Sequence, residues 1–87
     1  MLINSYSSTV FAKCVGNTVK RLRKENKLSQ EELAEKINSH QVYISEIERG
    51  LKIPSLPILF KMANAFGITP SELVSAIEKE YNADSNE

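Results

Sequence analysis

The stretch that decides the fold reads SQEELAEKINSHQVYISEIERG and covers residues 29–50. Ser29 precedes Glu32 by three residues, which is the capping-box pattern that marks the beginning of a helix. The apolar residues expected on the inner face of this helix are Leu33, Ala34 and Ile37. The helix is expected to end near Asn38, because asparagine tolerates the left-handed backbone conformation that closes a helix.

A second short helix follows directly. It is predicted to begin at His40 or Gln41 and to run to Arg49, with Gly50 as its stop. The side chains expected to face inward are Ile44 and Ile47. Two short helices joined by a tight turn form a helix-turn-helix, in which the small Ala34 lets the two helices cross closely. Braced from behind, the second helix is free to present its outer side chains to a DNA major groove.

Helical periodicity continues on the N-terminal side. An i, i+3, i+4 stripe runs to about Asn26, and its members are Val10, Phe11, Cys14, Val15, Thr18, Val19 and Leu22. The beginning of this helix has two readings. Ser7, Ser8 or Thr9 can cap it. Alternatively, the helix begins only at Gly16-Asn17, a weak helical pair, and the preceding residues are an extension.

Two further helices are predicted on the C-terminal side. Ser55 caps the first of them, Pro57 lies in its first turn and Gly67 ends it. Its apolar set is Leu56, Leu59, Phe60, Met62, Ala63 and Phe66. Thr69-Pro70-Ser71-Glu72 is a second capping box and opens a fifth helix, whose last residues, 82–87, are polar and expected to fray. No segment alternates cleanly between polar and apolar residues, so the predicted fold class is all-α.

Length and composition limit the chain to one small domain. It has 87 residues, 41% of them hydrophobic, and no apolar run is long enough to span a bilayer. With one cysteine, Cys14, and one histidine, His40, neither an internal disulfide nor a multi-ligand Cys/His zinc site is expected. We therefore expect no metal and no cofactor. Because the N-terminus lacks a secretory pattern, we expect a cytoplasmic location.

The charge is unevenly distributed although the net charge is zero. Residues 1–71 carry ten lysines and arginines against six glutamates, a balance of +4, and residues 72–87 carry −4. The densest basic patch, residues 20–27, fits long-range attraction for DNA and a plain solvated helix face equally well. We divide the chain into an N-terminal extension or start of helix one, a central domain and an acidic polar tail, at residues 1–14, 15–78 and 79–87.

Four segments occur in the order and spacing of a known family: Leu28–Ala34, Tyr43–Gly50, Pro54–Leu56 and Ala63–Leu73. From about Val15 to Ile77 the chain resembles the phage-repressor, Cro-type helix-turn-helix family, also called the xenobiotic-response-element type. The resemblance implies a compact five-helix lambda-repressor-like domain that binds DNA, typically as a homodimer on a palindromic operator. The family includes phage repressors, bacterial transcription regulators, restriction–modification controller proteins and antitoxins.

Two positions depart from the family pattern. Ser39 stands where an apolar residue usually follows the turn, and His40 stands where a serine or threonine commonly caps the recognition helix. If Ser39 caps instead, the helix begins one residue earlier. Which of His40 and Gln41 reaches DNA first therefore depends on the tertiary structure.

The resemblance assigns base reading to the outer face of the second short helix, at Gln41, Val42, Ser45, Glu46 and Arg49. A glutamine amide such as that of Gln41 pairs with adenine N6 and N7, Val42 suits a thymine methyl group, and Glu46 suits a cytosine amino group. Two residues keep an alternative role. Glu46 can instead repel phosphates and exclude wrong sites, and Arg49 can instead contact a phosphate.

The resemblance also implies phosphate contacts and one ion pair. The residues expected at phosphates are Gln30, Tyr43, Lys52 and Ser55, although Tyr43 also fits a half-buried packing ring. Arg23 and Glu48 match family positions that form a partly buried ion pair between helix one and helix three. We expect their role to be structural.

Dimerisation is expected through helix five, alone or together with residues 2–11. The apolar residues of that helix assigned to the interface are Leu73, Val74, Ile77 and Tyr81. They offer more apolar surface than the helix needs for its own core. The alternative is a monomeric core helix.

The function expected from the sequence is a sequence-specific transcription regulator that binds DNA as a homodimer. The alternative on the same fold is an antitoxin or another protein-interaction module, with a partner such as a toxin. No enzyme activity is expected, because Cys14 and His40 lack a third orienting group at a recognisable spacing. Cys14 is expected to be a small core residue.

Overall fold

A computed structural model describes residues 7–85 of the chain. Over these residues the fold consists of five α-helices and no strand, which confirms the all-α prediction. The helices are α1 (Ser8–Glu25), α2 (Gln30–Lys36), α3 (Gln41–Glu48), α4 (Leu56–Phe66) and α5 (Pro70–Ser85). Residues 1–6 and 86–87 lie outside the described range, and so does part of the predicted contribution of residues 2–11 to a dimer.

Helix α1 begins at the earlier of the two starts that the sequence allowed. The Oγ of Ser7 accepts a hydrogen bond from the Val10 amide at 3.2 Å and caps the helix. Gly16 is therefore a buried residue in the middle of α1. A Cβ at this position would lie 2.7 Å from the Glu48 carbonyl oxygen and also against that of Ile47, so only glycine permits this crossing of α1 over α3.

The predicted capping box of α2 is confirmed. The Ser29 amide donates to Glu32 Oε1 at 2.8 Å, and the Glu32 amide donates to Ser29 Oγ at 3.0 Å. Asn38 adopts a φ of 58°, which closes the helix as predicted. The Ser39 amide then donates to the Ala34 carbonyl oxygen at 2.8 Å, so the turn between α2 and α3 is held by backbone bonds.

Helix α3 begins at Gln41, with His40 as its N-cap residue. The alternative in which Ser39 caps the helix is wrong, because Ser39 precedes the N-cap residue. The His40 side chain, as the departure from the family pattern suggested, makes no capping hydrogen bond. Gly50, with a φ of 77°, follows the last turn as predicted. Gln41 is therefore the first helical side chain on the surface of α3.

Helices α4 and α5 begin and end close to their predicted bounds. Ser55 caps α4, Gly67 ends it with a φ of 72°, and Thr69 and Glu72 exchange the two bonds of a capping box at 2.8 and 3.1 Å. Helix α5 continues to Ser85 and thus includes residues 82–85, whose expected fraying stays a prediction. The division of the chain at residues 14/15 and 78/79 stays a prediction.

One hydrophobic core holds the five helices together. Its buried members are Val15, Val19, Leu33, Ala34, Ile37, Ile44, Ile47, Met62, Ala63, Phe66, Leu73 and Ile77. The inner residues predicted for α2 and α3 are all among them. Cys14 is buried as well, as predicted. From the apolar set predicted for α4, however, Leu56 is 62% exposed and Phe60 53% exposed.

The burial of α5 corrects the expectation of spare apolar surface on this helix. Leu73, Ile77 and Tyr81 are buried in the chain's own core, and only Val74, at 46%, is exposed. The Tyr81 ring meets the Phe11 ring edge-on at 6.0 Å, and its hydroxyl oxygen accepts from the Ser7 amide at 3.3 Å. The error arises because periodicity marks an apolar face without identifying which helix covers it.

Candidate DNA-binding surface

The outer side of α3 carries the residues predicted to read bases. Val42 is 65% exposed, and Gln41 and Arg49 are exposed as well. Ser45 and Glu46 are half-buried one turn further along. The opposite side of α3 is anchored by Ile44 and Ile47, both fully buried. The helix therefore presents this set outward from a fixed base.

Gln41 is not an isolated surface side chain. Its Nε2 donates to Gln30 Oε1 at 2.9 Å, and Gln30 Nε2 donates to Glu48 Oε1 at 3.0 Å. Gln41, the residue expected to read a base, thus hydrogen-bonds to Gln30, the residue expected at a phosphate. Gln30 in turn hydrogen-bonds to Glu48. The sequence pattern predicted all three positions but not the bonds that join them, because the partners are eleven and eighteen residues apart.

The predicted ion pair between α1 and α3 is confirmed. Arg23 Nε donates to Glu48 Oε2 at 2.6 Å and Arg23 Nη2 donates to Glu48 Oε1 at 3.1 Å, so the contact is bidentate. The two side chains are 10% and 3% exposed. Arg23 Nη1 also donates to the Leu28 carbonyl oxygen at 2.7 Å, which fixes the loop that leads into α2. The pair therefore fixes α3, and with it the outer face, on the body of the domain.

The remaining polar residues of the outer face bind one another. Lys52 Nζ lies 3.2 Å from Glu46 Oε1, and Arg49 Nε donates to Ser45 Oγ at 3.3 Å. A surface ion pair such as that of Lys52 and Glu46 contributes about 0.2–1 kcal/mol. The Lys52 charge offsets that of Glu46 on this surface.

Tyr43 and Ser55 flank the outer face. Tyr43 is half-buried against the core, and burial raises the pKa of its hydroxyl, opposed by the smaller effect of the Lys52 charge. The hydroxyl therefore stays protonated and able to donate at neutral pH. The position fits both a phosphate contact and a packing ring. Ser55 is exposed, and its Oγ accepts from the Ile58 amide at 3.4 Å, which leaves its hydroxyl proton for another acceptor.

An exposed apolar face on the α4–α5 side was missed by sequence reasoning. Ile53, Leu56, Phe60 and Val74 are each at least 45% exposed, and we refer to these four residues as the apolar face. Phe60 and Val74 line a common depression, and Ile53 and Val74 line a neighbouring groove of about 250 Å³. One signal was present in the sequence: the apolar set of α4 covers more of its circumference than a single core contact can bury.

Within residues 7–85, no group of three or more His, Cys, Asp or Glu side chains is placed to hold a metal ion. In the same part of the chain, no helix is long and apolar enough to cross a membrane.

Comparison with protein families finds a match to the family model described as helix-turn-helix, over residues 19–73. Control protein C.MunI of Mycoplasma sp is 50% identical over 66 residues, which cover 75% of this chain and 89% of that protein. The immunity repressor protein of Bacillus phage phi105 is 43% identical over 74 residues, 83% of this chain and 51% of the repressor. The chain thus spans about half the length of that phage repressor.

A solved structure with a similar fold contains DNA. It is the restriction–modification controller protein C.Esp1396I as a tetramer in complex with its natural 35 base-pair operator. The TM-score is 0.72 and the identity 27%, over 82% of this chain and 93% of that one.

Proposed function

The chain belongs to the helix-turn-helix family, and on this premise we propose that it is a sequence-specific transcription regulator that binds a palindromic operator as a homodimer. The observation that carries the proposal is the outer face of α3. Gln41 and Val42 point outward at its start while Ile44 and Ile47 anchor its inner side. A helix fixed in this way fits the major groove, with its N-terminal residues at the base edges.

Base reading is assigned to the outer face of α3. Gln41 pairs with an adenine, Val42 contacts a thymine methyl group, and Glu46 accepts from a cytosine amino group. Each good bidentate contact contributes about 1–3 kcal/mol of discrimination against a wrong base. Ser45 and Arg49 complete the set, Arg49 at a base or a phosphate.

Phosphate binding is assigned to the flanks of the outer face. Lys52 supplies charge, and Gln30, Tyr43 and Ser55 supply neutral donors. Such contacts fix the register of the protein on the duplex without reading sequence. They also release counterions when the contacting group is charged, which makes affinity depend steeply on salt.

We expect Lys52→Ala and Gln41→Ala to impair DNA binding in different ways. Lys52→Ala lowers affinity for all sequences and reduces the log–log salt slope by about 1. Gln41→Ala keeps the slope but loses preference at one base pair. Selection from random duplex DNA defines the site, and anisotropy titrations at several salt concentrations measure both effects.

The control for charge is Lys79→Ala, which removes an exposed lysine from α5 and is expected to leave both quantities unchanged. A wild-type protein whose binding shows no salt slope and no sequence preference contradicts the proposed function. That result favours the alternative, a protein-interaction module such as an antitoxin on the same fold. A toxin partner and DNA binding are compatible in one protein.

The homodimer is proposed to form through the apolar face. Of the four α5 residues assigned from the sequence, only Val74 lies on this surface, while Leu73, Ile77 and Tyr81 are buried in the core. A contiguous exposed apolar patch favours a protein contact. For a helix-turn-helix dimer we expect two half-sites about 34–36 Å apart, one for each α3 helix.

Phe60→Asp is expected to convert the dimer to a monomer without unfolding it. The ring is 53% exposed, so the fold loses little, whereas a charge in an apolar contact between copies is costly. Sedimentation velocity at micromolar concentration measures the mass, and circular dichroism checks the fold. Val42→Asp, which places the same charge on an exposed apolar position of α3, is the control and leaves the mass unchanged. A wild-type protein that sediments only as a monomer refutes this interface.

The proposed mechanism is steric. A bound dimer occludes polymerase or recruits it, depending on where the operator lies. We propose that the protein acts by binding alone, without a catalytic step or a cofactor, and in the cytoplasm, where the DNA of a bacterial cell lies.

A further inference from the structure

Glu48 is placed to influence DNA reading without contacting DNA. We propose that Glu48 acts as a positioning residue that sets the orientation of the Gln41 amide and thereby the base preference of the protein. The inference rests on the proposed function, since it concerns how Gln41 reads a base. Its physical basis, however, is a hydrogen-bonded chain that exists in the free protein.

The hydrogen bonds that link Glu48 to Gln41 through Gln30 can have only one donor-to-acceptor direction. A carboxylate oxygen accepts hydrogen bonds and never donates them, so Gln30 must present its Nε2 to Glu48 Oε1, at 3.0 Å. The Oε1 of Gln30 is then turned toward Gln41. Gln41 must therefore present its own Nε2, at 2.9 Å. The acceptor-only carboxylate of one residue thus orders two amides in succession.

The starting point of this chain is rigid. The Glu48 side chain is 3% exposed and is held by two bonds from Arg23, at 2.6 and 3.1 Å. Arg23 is fixed in turn by the Leu28 carbonyl oxygen. Glu48 cannot rotate to suit a different amide orientation without breaking a buried ion pair. Gln30 and Gln41 adapt to Glu48, not the reverse.

A fixed amide orientation bears directly on which base is read. An amide presents N–H on one side and an oxygen on the other, and adenine offers an N7 acceptor beside an N6 donor in one order. With Nε2 held toward Gln30, Gln41 offers a single order of donor and acceptor to the groove. Without this restraint the amide flips, and the reversed order suits other base pairs. Preference then falls.

Phosphate binding by Gln30 is compatible with the same arrangement. Its Nε2 carries two protons, of which Glu48 takes one. A phosphate oxygen, like a carboxylate oxygen, only accepts. Both partners therefore require the same orientation of Gln30, and DNA binding reinforces the chain instead of breaking it.

The test compares three variants on the site selected from random duplex DNA, with all four base pairs tried at the position of Gln41. For the wild-type protein we expect a preference of between about 5-fold and about 150-fold for one base pair. In Glu48→Gln the new amide can donate as well as accept, so the chain can reverse, and we expect the preference to fall at least about threefold. Gln30→Met removes the link while leaving the ion pair intact, and the same loss is expected.

Arg23→Lys is the matched control. It weakens the ion pair and lowers the melting temperature, but a carboxylate remains at position 48, so the base preference is expected to persist. A merely structural role for Glu48 predicts the opposite pattern, in which Arg23→Lys and Glu48→Gln lose preference alike. That pattern overturns the proposal, and so does an unchanged base preference in Gln30→Met. If Glu48→Gln does not fold, the Gln30→Met result alone tests the proposal.

A second readout needs no DNA. The side-chain amide resonances of Gln41, followed by NMR in the free protein, are expected to shift and exchange faster in Gln30→Met and Glu48→Gln but not in Arg23→Lys. If the wild-type protein shows no sequence preference, the proposed function fails. These spectra still test whether the hydrogen bonds from Glu48 to Gln41 exist. If the Gln41 amide resonances are unchanged by both substitutions, the series of hydrogen bonds from Glu48 to Gln41 does not exist in solution.

Discussion

Arg23→Ala is expected to lower the free energy of unfolding by about 3–5 kcal/mol, the range found when one partner of a buried ion pair is removed. The substitution leaves the Glu48 carboxylate, 3% exposed, without its bidentate partner. It also removes the bond to the Leu28 carbonyl oxygen. For a domain of this size the melting temperature should fall by more than about 10 °C, measured by calorimetry or circular dichroism.

Two controls separate this effect from the loss of any charge or any surface residue. Arg21→Ala removes an arginine from the same helix whose exposed pair with Glu25, at 3.4 Å, contributes at most about 1 kcal/mol. Gln41→Ala should impair base discrimination more than Arg23→Ala does, yet lower the melting temperature less. The reverse ranking in melts and binding titrations contradicts the structural role of the pair.

Gly16→Ala is expected to destabilise the protein by about 1–3 kcal/mol, the usual cost of overpacking. The added Cβ would lie against the carbonyl oxygens of Ile47 and Glu48, which belong to the backbone of α3 and cannot rotate away. Helices α1 and α3 must separate, which shifts the outer face and lowers DNA affinity as well. Chemical denaturation measures the stability, and titration with the selected site measures the affinity.

Helix propensity alone predicts the opposite sign for this substitution. Alanine is favoured over glycine in a helix interior by about 1 kcal/mol, so a Gly16→Ala protein that is more stable than wild type shows that the close crossing is absent in solution. Asn17→Ala, at the next and exposed position of α1, is the matched control. It tests propensity without a clash and is expected to be neutral or slightly stabilising.

Several elements of the fold were predictable because their causes lie within a few residues of one another. The capping box of Ser29 and Glu32, the left-handed Asn38 and the glycine stop at Gly67 each act on adjacent backbone groups. Helix bounds follow from such groups, so the order of the five helices could be predicted. The ion pair of Arg23 and Glu48 was predictable only through the resemblance to a family, since nothing local joins residues twenty-five positions apart.

Local pattern therefore set where α2, α4 and α5 begin, where the helices end and which stripe of each is apolar, while it left two possible starts for α1 and α3. Tertiary packing decided the rest. It buried Leu73 and Tyr81 inside the domain while it left Phe60 on the surface, because an apolar stripe specifies no partner. It made Gly16 the point where α1 crosses α3, since close approach depends on two helices at once. It also joined Gln41 to Glu48 through Gln30, because a hydrogen bond forms between neighbours in space, whatever their separation along the chain.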